Sequence, residues 1–138
     1  MEAFVQLWFS TLDAKNGYHQ ILINVALRDY PCFITPWGRY RFKRATMGMT
    51  SSGDKFNFEV DVAMGGIQNT AKVVDDIMCS TVSFEQHLVL EILQAARKHG
   101  ITVSPSKFYF GEPDVKFIGY IVGRDGIKAE PAKLKAIT

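Results

Sequence analysis

Three aspartates in apolar surroundings are the residues of this chain whose types and spacing could do chemistry. Asp75 and Asp76 stand side by side between two apolar runs, and Asp13 closes another apolar run that begins at Phe9. Carboxylates about 4 Å apart repel by roughly 4 kcal/mol per pair at an effective dielectric of about 20, and a hard divalent cation such as Mg²⁺ reverses that sign. An acidic pair also makes a good hairpin turn by itself. The pattern therefore predicts either a shared magnesium site or a plain acidic turn.

The composition is that of one ordinary globular domain. The chain has 138 residues, of which 47% are hydrophobic and 22% are charged, and this length is enough for a real core. Its net charge of +2 is too weak to demand or exclude a nucleic-acid partner. The histidines show no zinc spacing, and no apolar run reaches the roughly 18 residues that span a bilayer. We therefore expect neither a zinc hydrolase nor a membrane partner.

The two cysteines bear on the compartment of the protein. Cys32 and Cys79 lie far apart and outside any metal-ligand spacing, and the chain begins without a signal-like segment. We therefore expect reduced thiols in an intracellular protein, located in the cytoplasm, in a particle or in the nucleus.

Short apolar runs bounded by turn residues predict the strands of the domain. Asn16-Gly17 and Arg124-Asp125-Gly126 predict turns, because these residue types accept turn geometry. Residues 18–25 form either a short strand or an irregular turn. The predicted strands are Phe9–Asp13, Phe33–Thr35, Tyr40–Phe42, Ala71–Val74, Ile77–Cys79, Ile101–Val103 and Val115–Val122.

Helical spacing of apolar residues predicts two long helices. The first covers residues 50–62, with Ser52 or Asp54 as its N-cap. The second runs from Phe84 to His99 and ends at Gly100, which favours a left-handed cap. A final helix is predicted from Pro131 onward.

The order of these elements is βαββαβ, which predicts an α+β fold of the ferredoxin-like type with both helices on one side of an antiparallel sheet. In such a sheet Asp13 ends the first strand, beside the hairpin that carries Asp75 and Asp76. The predicted fold thus brings the three aspartates together.

Six ordered motifs resemble those of reverse transcriptases from Gypsy-type LTR retrotransposons. They span nearly the whole chain, and the ordered set is far more specific than any single motif. The matching segments are Phe9–Tyr18, Phe33–Phe42, Met47–Asp54, Lys72–Ile77, Gly100–Phe108 and Phe117–Val122.

The resemblance implies a polymerase palm with a partial fingers hairpin, acting as an RNA-directed DNA polymerase on a template–primer and dNTP. Asp13, Asp75 and Asp76 match the catalytic acids of the family. Two Mg²⁺ ions, with Mn²⁺ as a possible substitute, there activate the primer 3′-hydroxyl and stabilise the leaving pyrophosphate. Neighbouring strand residues face opposite ways, so we expect Asp75 to ligate metal more directly than Asp76.

The same resemblance implies roles for residues around the acids. Each has an ordinary structural alternative: a buried tyrosine, a loop before a helix, a solvated lysine or core packing. Tyr18, Met47, Gly48 and Lys107 match nucleotide-binding positions, with Tyr18 under the sugar and Lys107 near the triphosphate. Phe117, Gly119 and Tyr120 match the strand and turn that grip the primer.

Positive charge is concentrated on the predicted hairpin. Arg39, Arg41 and Lys43 alternate, so they share one strand face, and Arg44 adds a fourth charge. This pattern predicts either contact with a nucleic-acid backbone or a solvated hairpin face.

Two residues depart from the usual pattern of reverse transcriptases: Val73 replaces an aromatic residue, and Thr46 replaces a proline. We interpret residues 1–138 as one palm and fingers domain without the preceding fingers strands, thumb, connection or RNase H. Apolar surface around Phe4, Leu7 and Trp8 should then be exposed and cause self-association. The alternatives are a truncated or repurposed non-catalytic remnant that binds nucleic acid or a protein, and a ferredoxin-like interaction domain with an incidental acidic turn.

Overall fold

The computed structural model describes residues 7–84 and 89–131 of the chain. Three predictions fall outside these residues. They are the exposure of Phe4, the first part of the helix predicted from Phe84, and the helix predicted beyond Pro131. The elements of the described part are β1 (Trp8–Asp13), β2 (Cys32–Thr35), β3 (Gly38–Arg41), α1 (Thr50–Met64), β4 (Thr70–Val73), β5 (Asp76–Thr81), α2 (Val89–Lys98), β6 (Tyr109–Glu112), β7 (Asp114–Phe117), β8 (Tyr120–Gly123) and β9 (Gly126–Ala129).

The central sheet has the strand order β4-β5-β1-β6, and its neighbouring strands are antiparallel. With α1 between β1 and β4 and α2 between β5 and β6, this is the predicted βαββαβ arrangement. The α+β prediction is therefore confirmed. A two-stranded sheet, β2-β3, and a three-stranded sheet, β7-β8-β9, complete the described fold.

One face of the central sheet carries the main core. Leu12 of β1 and Ile77 of β5 are direct register partners on this face, and both are buried. Phe56 and Val60 of α1 and Ile92 of α2 pack into the same cluster. Apolar residues at intervals of four along α1 thus bury one stripe of the helix, as their spacing predicts.

The start of α1 differs from the prediction, because neither proposed residue caps the helix. Met49 precedes the first helical residue with an extended backbone and no side-chain cap. Ser52 lies inside the first turn, is 3% exposed, and its Oγ donates to the carbonyl of Thr46 at 2.9 Å. Asp54 is exposed on the helix surface. Ser52 therefore anchors the preceding loop to the helix.

The last strand of the central sheet was predicted too early. Residues 101–103 form only an isolated bridge, between Val103 and Ala14. The fourth strand is β6, where the Gly111 N–H donates to Ser10 Oγ at 2.8 Å. It was missed because its four residues are mostly exposed and show no apolar alternation.

The single strand predicted at Val115–Val122 is two strands, β7 and β8. Ile118 and Gly119 form the turn between them, with φ values of 51° and 76°. Two left-handed residues suit a tight hairpin, but an isoleucine rarely adopts this conformation. The turn was not predicted, because it lies within a continuous apolar run. The strand β9 was not predicted either.

The predicted turns are otherwise confirmed. Asn16 and Gly100 are left-handed, with φ values of 51° and 71°. The ambiguous segment 18–25 is irregular, with 3-10 turns at Gly17–Gln20 and Val25–Leu27.

Among the described residues, the most exposed large apolar side chains lie away from Leu7 and Trp8. Leu7 and Trp8 are only half-exposed, and the Trp8 ring packs edge-on against Phe84 at 5.2 Å. On the β2-β3 hairpin, by contrast, Ile34 is 85% and Trp37 is 84% exposed. Within the described ranges, no helix is both long enough and apolar enough to cross a membrane.

Candidate active site

The strand register brings the three aspartates to one end of the central sheet. Asp13 and Asp76 are direct partners across the β1-β5 ladder. Asp75 belongs to the two-residue turn between β4 and β5, and its carbonyl accepts from the Ala14 N–H at 2.8 Å. This bond fixes the acidic turn to the residue after Asp13.

The turn itself uses an unusual conformation. Val74 has a φ of 52°, which is uncommon for a β-branched residue and stores strain of order 1–3 kcal/mol. The turn places Asp75 outside the strict alternation of the strands. Asp75 is consequently half-buried, whereas Asp76 is exposed.

Burial and mutual repulsion raise the pKa of the paired acids. The pKa of Asp75 is raised first by desolvation and then by the charges of Asp13 and Asp76, with Lys107 acting in the opposite direction. The pKa of Asp76 is raised by desolvation and by Asp13. Oδ1 of Asp75 is buried and has no hydrogen-bond partner among the described residues. The site therefore holds negative charge that the surrounding protein does not fully compensate.

Lys107 brings a positive charge into direct contact with the acids. Its Nζ donates to Oδ2 of Asp13 at 2.7 Å. This bond, followed by the charge of Asp13, raises the pKa of the Lys107 ammonium. The lysine reaches across from the 3-10 turn at Pro105–Lys107 to the end of β1.

A divalent metal fits this site chemically, although its ligands are not preassembled. In the described part of the chain, no three carboxylate, histidine or cysteine side chains stand as a ready metal-ligand cluster. Asp13 is engaged by Lys107, but the unpartnered Oδ1 of Asp75 is the oxygen donor that a hard cation requires. Asp13 can join it by exchanging the ammonium for an ion.

A cavity of about 360 Å³ lies beside the acids. It is lined by Asp13 and Asp75 and by three of the predicted nucleotide-binding residues, namely Tyr18, Met47 and Lys107. Asp76 and Gly48 do not line it. Six further lining residues had no predicted role in the site: Ala14, Lys15, Asn16, Gly17, His19 and Ser104. Among them, only Asn16 and Gly17 carried a local signal, that of a turn.

Gly17 allows the turn below this cavity to form. It is buried, and a Cβ at this position would collide with Oδ1 of Asp75 and lie 2.8 Å from the Phe56 ring. The next residue, Tyr18, packs its ring edge-on against Phe56 at 6.2 Å. The absence of a side chain at Gly17 thus lets Tyr18 and Asp75 share one pocket.

The predicted basic residues separate into two groups. Arg39, Arg41 and Lys43 line a second cavity of about 310 Å³, together with Arg28, which sequence reasoning missed. Arg44 does not join them, because its Nη1 donates to the carbonyl of Gln20 at 2.9 Å. It supports the Tyr18 turn instead.

The predicted primer-contact residues lie on the separate β7-β8-β9 sheet. Phe117 and Tyr120 pair directly across the turn that contains Gly119. None of the three lines the cavity beside the acids.

On the basic β2-β3 hairpin, the side chain of Arg41 forms an ion pair with Asp29 at 2.5 Å.

Comparison with known proteins identifies the family. The profile described as reverse transcriptase (RNA-dependent DNA polymerase) matches residues 5–122. The Pol polyprotein of the Drosophila melanogaster transposon opus is 31% identical over 137 residues, covering 95% of this chain and 14% of the polyprotein. That of the Drosophila melanogaster transposon gypsy is 30% identical over 136 residues, covering 94% of this chain and 13% of the polyprotein. The chain therefore spans only a small part of the length of these relatives.

Solved structures agree with this assignment. The foamy viral protease-reverse transcriptase in complex with an RNA/DNA hybrid superposes with a TM-score of 0.89 at 25% identity, covering 97% of this chain and 19% of that one. Its complex with double-stranded DNA gives the same TM-score and identity, covering 96% of this chain and 24% of that one. The predicted palm fold is thereby confirmed. The resemblance to Gypsy-type retrotransposon enzymes is also confirmed, and the chain belongs to the reverse transcriptase (RNA-dependent DNA polymerase) family.

Proposed function

We propose that this chain is the palm and part of the fingers of an RNA-directed DNA polymerase that adds a nucleotide from dNTP to a primer 3′-hydroxyl. The observation that carries the proposal is the register of Asp13 opposite Asp76, with the unpartnered oxygen of Asp75 beside a cavity. Such a cavity, with acids on one side and Lys107 within reach, suits a polyphosphate with its metal ions.

The acids would hold the metal ions of this reaction. Asp13 and Asp75 are the more direct ligands in this proposal, because both line the cavity, and Asp76 contributes charge from the exposed side. When bound, two Mg²⁺ ions, or Mn²⁺ in their place, supply activation of the primer hydroxyl and charge neutralisation at the leaving pyrophosphate. The protein itself would hold the acids in fixed positions, so that the metal ions and the reacting groups adopt one arrangement.

The other lining residues would orient the nucleotide. Tyr18 closes one side of the cavity, where it would pack under the sugar and disfavour a 2′-hydroxyl. Lys107, released from Asp13 when metal binds, would meet the triphosphate. Met47 lines the cavity and is 79% exposed and, with its chain neighbour Gly48, would support the template and nucleotide.

The template–primer is the proposed macromolecular partner. The structural relatives were solved with an RNA/DNA hybrid and with double-stranded DNA. On this chain, Arg28, Arg39, Arg41 and Lys43 surround one cavity and would contact backbone phosphates. Phe117, Gly119 and Tyr120 are proposed to contact the primer from the second sheet.

Removing charge from the basic cavity should weaken template–primer binding in a salt-dependent way. For the double variant Arg39→Gln and Lys43→Gln, we expect the slope of log affinity against log salt to fall by about 1 for each phosphate that is no longer neutralised. Fluorescence anisotropy with a labelled RNA/DNA hybrid measures this slope. Arg97→Gln on α2 lies outside the cavity and serves as the control. An unchanged slope in the double variant would mean that the charges of this cavity are solvated and do not contact phosphates.

Primer extension tests the proposed reaction itself. The chain is incubated with an RNA template, a DNA primer, dNTP and Mg²⁺ or Mn²⁺, and extension should stop when the metal is chelated. Asp54→Asn, which changes an exposed carboxylate on α1, is the control for non-specific loss of charge. A folded chain that extends no primer with either metal would favour the non-catalytic alternative.

Exposed apolar residues of the β2-β3 hairpin favour a second candidate role. Ile34 and Trp37 on β2-β3 are almost fully exposed, which is costly for a monomer and typical of an interaction surface. We therefore expect self-association through the hairpin tip, reduced by Trp37→Ser. Sedimentation at increasing concentration measures it, and a monomer across the range would contradict it.

A further inference from the structure

We propose that Gln20 is a positioning residue, which holds the turn carrying Tyr18 at a fixed distance from the segment carrying Lys107. The proposal rests on the proposed polymerase function. Gln20 does not line the cavity beside the acids. Its side chain instead joins the two chain segments that contribute Tyr18 and Lys107 to the lining of that cavity.

The amide of Gln20 forms a three-bond bridge. Its Oε1 accepts from the Thr102 N–H at 2.8 Å, and its Nε2 donates to the Thr102 carbonyl at 2.9 Å. Nε2 also donates to the Lys15 carbonyl, at 2.6 Å. The side chain therefore pairs with the backbone of Thr102 as a neighbouring strand residue would.

The segment that Gln20 holds is not a regular strand and is otherwise anchored by a few backbone hydrogen bonds, one of them from the Ile101 N–H to the Ala96 carbonyl at 2.8 Å. Residues 101–103 are not a strand, and their backbone reaches the end of β1 through the Lys15 N–H to the Thr102 carbonyl at 2.9 Å. A second bond runs from the Ser104 N–H to the Asp13 carbonyl at 2.8 Å. This segment leads directly into the turn from which Lys107 reaches Asp13. Gln20 thus contributes two of the hydrogen bonds that hold the segment before Lys107, both of them at Thr102.

At its other end, Gln20 is the last residue of the 3-10 turn that carries Tyr18. Its carbonyl accepts from Arg44 Nη1 at 2.9 Å, which holds the backbone of the turn as well. A displacement of the Gln20 amide would therefore move Lys107 relative to Tyr18. Asp13 and Asp76 are held by the β1-β5 ladder and Asp75 by the Ala14 N–H, so the acids would stay in place.

Glutamine suits this role because both ends of its amide are used. Glutamate has the same shape, but an ionised carboxylate accepts only, so it would face the Thr102 and Lys15 carbonyls without a donor. Methionine has a similar length and neither donor nor acceptor. Gln68, which is exposed and lies outside this bridge, provides the control glutamine.

The experiment compares Gln20→Met and Gln20→Glu with Gln68→Met in primer extension by a single nucleotide. For both Gln20 variants, we expect the KM for dNTP to rise about tenfold with kcat changed less than about threefold, because binding geometry changes while the acids do not. Discrimination against ribonucleotides should fall by a similar factor, since Tyr18 and Lys107 no longer confine the nucleotide together. Gln68→Met should match the wild type.

A second measurement does not depend on activity. Amide hydrogen exchange at Thr102 and Ser104 should quicken about tenfold in Gln20→Met, while amides of β1 keep their protection. Faster exchange with unchanged KM and discrimination would overturn the positioning role, and unchanged exchange would overturn the bridge itself. If Gln20→Met does not fold, Gln20→Ala, which also lacks both donor and acceptor, gives the same two readouts. If the wild type extends no primer, the proposed function fails, whereas the exchange measurement still decides whether the bridge exists.

Discussion

Replacing Asp75 by asparagine is expected to abolish nucleotide addition and, without metal, to make the protein more stable. The carboxylate is the proposed direct metal ligand, and its Oδ1 has no other hydrogen-bond partner among the described residues. Losing such electrostatic stabilisation of the reaction should lower the extension rate by about 10³-fold. Single-turnover primer extension measures this loss, and Asp54→Asn is expected to retain the wild-type rate.

The stability effect follows from the sign of the pKa shift. Burial and the neighbouring acids raise the pKa of Asp75 in the folded protein. The stability that this group contributes is fully present below its unfolded pKa and is lost as the pH rises through the folded pKa. At neutral pH the ionised carboxylate therefore destabilises the metal-free protein, and the neutral amide does not. After allowance for solvent screening, we expect the free energy of unfolding of metal-free Asp75→Asn to exceed that of the wild type by about 1 kcal/mol, or roughly 3 °C in melting temperature.

Thermal melting across pH and Mg²⁺ concentration tests both parts of this expectation. Melting curves of wild type and Asp75→Asn should converge at acidic pH, where the carboxylate is protonated in both states. Added Mg²⁺ should stabilise the wild type more than the variant, because only the wild type keeps the ligand. A variant that melts below the wild type at neutral pH, or a wild type insensitive to Mg²⁺, would show that the acids do not form a cation site.

Replacing Gly17 by alanine is expected to damage folding and activity together. The added Cβ would collide with Oδ1 of Asp75 and lie 2.8 Å and 2.9 Å from two carbons of the Phe56 ring. Phe56 is 2% exposed and belongs to the main core, so it has little space to move. Overpacking of this kind costs about 1–3 kcal/mol. If Asp75 moves instead, misplacement of the metal ligand should lower extension about 10²-fold.

Gly66 offers a matched control for this substitution. It is exposed, its φ is not left-handed, and a Cβ there would meet nothing within 4 Å. Gly66→Ala should therefore leave melting and extension close to wild type. Chemical denaturation and primer extension of both variants make the comparison. Wild-type stability and rate in Gly17→Ala would mean that the pocket shared by Tyr18 and Asp75 is looser than the structure shows.

Local patterns predicted the elements whose burial follows a simple rule. α1 buries one stripe of residues, β1 is a short run buried along its length, and the β2-β3 hairpin is marked by turn residues between its strands. The predictions failed where tertiary contacts replace local signals. Ser52 bonds to the preceding loop instead of capping its helix. Ile118 adopts a left-handed turn inside an apolar run, and β6 forms because β1 offers it a partner.

By itself, the sequence determined which residue types could bind metal and phosphate, and the order of its motifs identified the family. Only the tertiary structure decided how those groups meet. Lys107 and Asp13 are separated by 94 positions, yet their side chains pair. Gln20 bonds to Thr102 across 82 positions. Arg44 lies outside the basic cavity and donates to the Gln20 carbonyl of the Tyr18 turn. Hydrogen bonds and ion pairs act over about 3 Å, so their partners are set by strand register and packing, which no local pattern encodes.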